Sequence, residues 1–239
     1  MAFVHGKSTK VVFNGYDLSP YLNSVSAARS QELAETTTFS ATAKTFLAGF
    51  GDATISAEGY WDGAAAAIDV LFNAAIASDT AQTLTISRNA ADAPGDAAEL
   101  ASCKQTSYEV SSGINDVTSI SAEFQANGAV KSGQILHALE AETATGADSA
   151  VNGTAETTTG AVAHLHVTAA SAADTLDVII EDSANGTTGW ATIGTFAQIA
   201  AIGSERITIA GTVKQYTRAS WTIAGTEPSF TFLVAIART

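Results

Sequence analysis

The sequence predicts a mainly β protein in two parts, with one clear helix. Three observations carry that reading. Apolar and polar residues alternate with period two in several segments, four Asn–Gly pairs mark tight turns, and one long stretch has helical spacing. Hydrophobic residues make up 46 % of the 239 and charged residues 15 %, enough for a sizeable core and unlike a disordered chain. The longest strictly apolar run, "FLVAIA" at 232–237, is far short of a membrane span.

The elements follow in order. "KVVF-NG-YDL" reads as a short opening hairpin, because Asn14 and Gly15 both tolerate the positive φ of a type I′ turn. The segment 29–52 reads as a long polar connection carrying large apolar residues, Phe39, Phe46, Leu47 and Phe50 among them. "GFGDAT" at 49–54 lacks the third glycine of a dinucleotide fingerprint and precedes a strand, so it reads as a turn. In "TISAEGYW", Ile55, Ala57 and Trp61 take the core side, and Thr54, Ser56 and Glu58 face away. Asp62 is then the expected N-cap of a helix over 64–78, whose Ala64, Ile68, Leu71, Phe72, Ala75 and Ile76 share one face.

"TLTISR" at 83–88 alternates Leu84 and Ile86 with Thr83, Thr85 and Ser87. "VTSISAEFQ" at 117–125 sets Ile120, Ala122 and Phe124 against Ser119, Ser121, Glu123 and Gln125. "SGQILHALEAE" at 132–142 reads as a second, shorter helix. The small polar residues that follow suggest a linker, giving domains 1–145 and 161–239 joined by 146–160. Charge supports the cut: 17 acids and 7 bases precede residue 150, and 7 acids and 4 bases follow. The last part reads as a β-sandwich of short strands broken by Gly and Asn–Gly.

Composition excludes more chemistry than it suggests. A net charge of −13 argues against a usual nucleic-acid binder. A single cysteine, Cys103, makes neither an intramolecular disulfide nor a cysteine metal cage. "MAFVHGKSTK" has no apolar signal core. No nucleophile elbow, phosphate loop or metalloprotease histidine pair occurs. His164 and His166 share a strand face, either as ordinary strand residues or as a metal pair without a clear third ligand. "EDSANG" at 181–186 reads as a hairpin turn rather than a calcium loop, and both "NGT" sites read as turns. Glu58 and Glu123 would form a glycosidase-like pair only if their strands were neighbours. Trp190, Tyr216 and Trp221 offer a sugar-stacking alternative, although Trp221 alternates with Ala219 and Ile223 as a core residue does.

"MAFVHGKSTKVVFNGYDLSPYLNSVS" followed by "ETTTFSATAKTFLAGFGDATISAEGYWDG" resembles the N-terminal part of major tail tube proteins of long-tailed bacteriophages, over roughly residues 3–140. The shared features are an opening strand, "DLS", a Thr-rich segment with "F-x-x-x-A-K-T", an "I-S-x-E-G" strand and a helix. "YTRASWTIAGTEPSFTFLVAIAR" is similar to a segment common in phage structural proteins. A second domain departs from the simplest, single-domain members.

The resemblance implies a β-sandwich or barrel-like core with a flanking helix, assembling as stacked, typically hexameric rings around a lumen that passes DNA without specific binding. Thr54, Ser56, Glu58, Ser119, Ser121 and Glu123 would line that lumen. Arg29, Glu35, Phe39, Lys44, Phe46, Leu47 and Phe50 would reach a neighbouring subunit or ring, ordering on assembly. The C-terminal domain would sit on the exterior. The implied partners are further copies of the chain and the tape measure, tail terminator and distal tail proteins. Neither an enzymatic activity, a cofactor nor a membrane is implied. The place of action would be a virion tail, assembled in the host cytoplasm. The alternative is a carbohydrate-binding or adhesin module of a phage or bacterial surface.

Overall fold

Asn14 and Gly15 turn the chain as their φ values of 49° and 84° require, and β1 (Lys10–Phe13) pairs antiparallel with β2 (Tyr16–Asp17). The computed structural model describes residues 5–64, 67–89, 91, 93–226 and 228–239. Next come β3 (Leu22–Glu35), β4 (Phe46–Tyr60), α1 (Ile68–Ile76), β5 (Gln82–Ser87), β6 (Ala97–Ser111), β7 (Ser119–Ala126) and β8 (Lys131–Glu142). The remainder adds β9 (Gly146–Ala147), β10 (Val151–Asn152), β11 (Ala161–Ala170), β12 (Thr175–Ser183) and β13 (Ala191–Thr195). Last are β14 (Gly203–Ile209), β15 (Tyr216–Ala224) and β16 (Phe230–Arg238). The protein is mainly β with one α-helix among the described residues.

Two compact units form, and neither is continuous in sequence. The larger comprises 1–20, 82–100 and 131–239, and the smaller comprises 21–81 and 101–130. The expected division at 146–160 is therefore corrected. β16 pairs on one side with β8 and on the other with β11, so strands from before and after that segment share one sheet. The segment itself is no free linker. β9 and β10 both pair with β15, and Val151 is buried.

In the larger unit, strands run β14-β11-β16-β8-β6-β5-β1-β2. This sheet curls: β2 lies against β11 and β5 against β14. Inside the curl, Val12, Leu100, Ile135, Val162, Leu233 and Ala235 form one core. The second sheet, β10-β15-β12-β13 with β9, covers the other face of β11 and β16. The core between them holds Leu165, Val178, Ile180, Trp221, Phe230 and Phe232.

Curling also explains a miss in β5. Thr83, Thr85 and Ser87 alternate with Leu84 and Ile86 as the wet face of a half-buried strand does, yet all are buried. The Thr85 hydroxyl lies 3.0 Å from His164 Nδ1 and 2.9 Å from His166 Nε2. The Gly15 N–H donates to His166 Nδ1 at 3.3 Å, and Arg206 Nη1 lies 2.8 Å from His164 Nε2. With Gly15 and Arg206 donating, His166 carries its proton on Nε2 and His164 on Nδ1, and both donate to the Thr85 oxygen.

The 132–142 segment is strand, not helix. Register shifts around Val234 leave Ile135, Leu136, His137 and Ala138 all buried in succession, which breaks period two and imitates helical spacing. Gly49 and Gly51 lie within β4 rather than in a turn. Asn185 and Gly186 do turn, the Asn185 side chain accepting from Thr187 N and Thr188 N at 2.9 Å each.

Candidate functional site

The smaller unit is a four-stranded antiparallel sheet, ordered β3-β4-β7-β6. One face is apolar: Ile55, Ala57, Ile120, Ala122 and Phe124 are all buried. Helix α1 packs there, the Phe72 ring meeting Phe124 and Tyr108 edge-on at 5.6 Å each. The Tyr108 hydroxyl donates to Asp69 on α1 at 2.6 Å; burial, then that hydrogen bond and the charge of Asp69, raise its pKa. The predicted helix is thus present but shorter, with Ile68, Phe72 and Ala75 buried. Ala65 and Ala66 of the prediction, and Met1–Val4 of the opening segment, lie outside the described residues. Asp62 does not cap α1. Its carboxylate accepts from Ala64 N, and the N-cap residue is Ala67. Trp61 is 45 % exposed, so it does not join Ile55 and Ala57 in the core.

The opposite face is largely polar. Register sets Ser24, Glu58, Ser121 and Glu109 in one row across the four strands, and Ser26, Ser56, Glu123 and Ser107 in the next. Thr54 pairs with Gln125, Ser119 with Ser111, and Ser26 and Ser56 hydroxyls meet at 2.7 Å. The face therefore gathers all six residues singled out from β4 and β7. Glu58 and Glu123 are both exposed and stand diagonally across adjacent strands.

Reasoning from sequence missed Glu109 and Ser107. A bulge between Gln105 and Ser107 reverses parity along β6, so Gln105 is buried while Ser107 and Glu109 turn to the polar face. The signal was the serine and glutamate content of "SYEVSS", not its alternation. Cys103, before the bulge, is buried, and burial pushes its thiol up to about 12.

The expected long loop is corrected to a hairpin arm. β3 and β4 stay paired from Ser24–Glu58 out to Glu35–Phe46, leaving only 36–45 as the connection. β7 accompanies β4 no further than Thr54. Beyond that, seven residues of β3 and their partners form a two-stranded ribbon roughly 24 Å long. Lys44 and Glu35 pair at 3.1 Å near its tip, and Thr36 N donates to Thr45 O at 2.8 Å. Arg29 stands at its base, opposite Ala53.

Its apolar residues stand in water: Phe39 (114 %), Phe50 (85 %), Leu47 (65 %), Leu33 (62 %) and Phe46 (52 %). By register Leu33 and Phe46 share one face, and Leu47 lies on the other. Two-stranded ribbons are marginal alone, and exposed apolar clusters of this kind mark contact surfaces.

The aromatic residues of the larger unit do not form a comparable platform. Trp221 is buried, its indole N–H donating to Ala144 O at 2.9 Å. The Arg218 guanidinium covers the Trp190 ring at 4.2 Å. The ring nitrogens of His164 and His166 are engaged within the protein, as described above.

No protein-family model matches the chain, and no curated protein does. Among solved structures, it is similar to a chain in the virion of a native gene transfer agent particle, at 16 % identity and a TM-score of 0.43, over 53 % of this chain and 95 % of that one. It is similar to the SPP1 tail tube at 16 % identity and 0.44, over 53 % and 77 %. The SPP1 Dit protein, described as a paradigm of the hub adsorption apparatus in phages infecting Gram-positive bacteria, matches at 13 % and 0.40, over 96 % and 98 %. At these values the likeness transfers no role, and what the site can do follows from its own residues.

Proposed function

We propose that the chain is a structural subunit of a phage-type tail, polymerising into stacked rings whose channel is lined by the polar face of β3-β4-β7-β6. One observation carries this reading: that sheet presents a largely polar face, and β3 has no second strand partner among the described strands. Residues 103–111 of β6 pair with β7, and β8 meets β6 only at Ala97–Leu100. Two open edges of different sequence favour a heterologous, head-to-tail contact, which closes into a ring when the rotation allows.

Size agrees with a channel. Four strands at about 4.8 Å occupy roughly 19 Å of arc, so six copies close a circumference of roughly 115 Å, about 37 Å across before strand tilt widens it. Serine, threonine and glutamate along such a bore hold water and repel phosphates, so DNA passes without sticking. The arm supplies the second contact. With apolar residues on both its faces, it needs cover on both, as it would have between neighbouring subunits of stacked rings. Burying each large side chain there contributes about 1.5–3 kcal/mol. Tape measure, terminator and distal tail proteins would then meet the ends of the tube, within a virion.

Electron microscopy of concentrated protein tests the reading. Rings or tubes with an open channel are expected, and their loss when residues 33–50 are replaced by a short turn. A chain that stays monomeric at every concentration and salt, with its fold intact, would end the proposal.

A further inference from the structure

Four titratable side chains meet near the C-terminal end of β8, in the larger unit and outside the features used so far. Residues opposite each other in an antiparallel pair project from the same face. β16 sets Phe230 opposite Glu142, Phe232 opposite Glu140 and Val234 opposite His137, and all three β16 residues face the core between the two sheets. Between the last two pairs β8 has one residue more than β16. That bulge brings His137 onto the side of Glu140 and Glu142, against its numerical parity. A nitrogen of His137 and one oxygen each of Glu140 and Glu142 lie within 4.8 Å of one another.

His137 is fully buried, stacked on Phe232 at 4.1 Å and 4.6 Å from the Trp221 ring. Its Nδ1 is 3.0 Å from Asp148 Oδ2, while its buried Nε2 has no hydrogen-bond partner. An orphaned ring nitrogen is a cost that packing alone does not explain. With Asp148 accepting the Nδ1 proton, Nε2 keeps its lone pair, the arrangement in which an outer carboxylate orients a metal-ligating histidine.

We propose that His137, Glu140 and Glu142 bind one divalent first-row transition metal ion, with Asp148 as the positioning residue for the imidazole. One imidazole and two carboxylates suit a zinc-like ion better than calcium or magnesium, which prefer all-oxygen shells. Bond lengths of about 2.0–2.2 Å require ligand atoms no more than ~4.4 Å apart, within reach of a small rotation of the exposed Glu140. The bound ion would tie the end of β8 to the segment at Asp148, whose N–H already bonds Ala219 O of β15 at 3.0 Å.

The test uses the full chain, stripped with chelator. Calorimetry with Zn²⁺ and visible absorption with Co²⁺ are expected to show one equivalent per chain and a raised unfolding midpoint. Glu140→Gln with Glu142→Gln should remove that equivalent while leaving the metal-free midpoint unchanged or higher, since like charges are gone. Asp148→Asn should weaken binding by about 10–100-fold. Absence of Zn²⁺ and Co²⁺ binding overturns the proposal. So does an equivalent retained by the double variant, or Ca²⁺ or Mg²⁺ binding as tightly as Zn²⁺.

Discussion

His164 and His166 show how far a single residue pattern carries. Their shared face was legible from alternation in "HLH"; their neutrality was not, because it depends on Thr85, Gly15 and Arg206 from distant strands. Burial lowers both pKa values, that of His166 to about 3, and His164 is lowered further by His166 and Arg206. An unfolded histidine titrates near 6.5. Between about 3 and 6.5 the unfolded chain therefore binds more protons than the folded one, and stability falls as pH drops through that window. Urea midpoints should be lower at pH 4.5 than at pH 7, and His166→Gln, which keeps a donor near Nε2, should shallow the slope. A parent profile flat over that range would contradict the assignment. Gly15 carries a second prediction at this scale. A Cβ there would lie 2.4 Å from Gly203 O, at a φ of +84°. Gly15→Ala should cost at least about 1–2 kcal/mol from backbone strain alone, read from the same midpoints.

Among elements, those with one dry and one wet face were readable. β4 and β7 alternate because α1 covers one side and water the other. The arm was not readable as strand, since both its faces are exposed and nothing imposes a period; apolar residues fall at 46, 47 and 50 without alternation. β6 and β8 were obscured by bulges, and β5 by a sheet that encloses both its faces. The arm's prediction follows from exposure. Phe46→Ser, Leu47→Ser and Phe50→Ser together should leave the monomer's unfolding midpoint nearly unchanged but abolish sedimenting assemblies. Loss of monomer stability would show that the arm packs within its own chain. The polar face gives another. Glu58→Lys with Glu123→Lys should fold normally, since both side chains are exposed, yet retain duplex DNA on assembled protein at low salt and release it at high salt. Equal retention by parent and variant would mean that these residues do not line the proposed channel.

At the scale of the molecule, the two compact units do not follow the sequential division that composition suggests. Composition marked 146–160 as a linker because small polar residues favour turns, but backbone pairing to β15 needs no large side chains. Cutting the chain at residue 150 removes β11 and β16, and with them both sheets' shared core. The truncated product should show weak near-ultraviolet dichroism and strong dye binding to exposed apolar surface. A cooperative unfolding transition in that fragment would mean that the first part is independent after all.

The place of β16 has a consequence for how the chain is made. It occupies the middle of the larger sheet, between β8 and β11, yet every other described strand leaves the ribosome before it. Any polypeptide released short of residue 230 lacks the strand on which two cores close, whereas the smaller unit is complete once residue 130 has emerged. Aborted translation products would thus carry sticky edges and an apolar arm without a finished larger unit, fit for proteolysis. Synthesis through β16 becomes a condition for closing the larger unit, imposed by strand order alone.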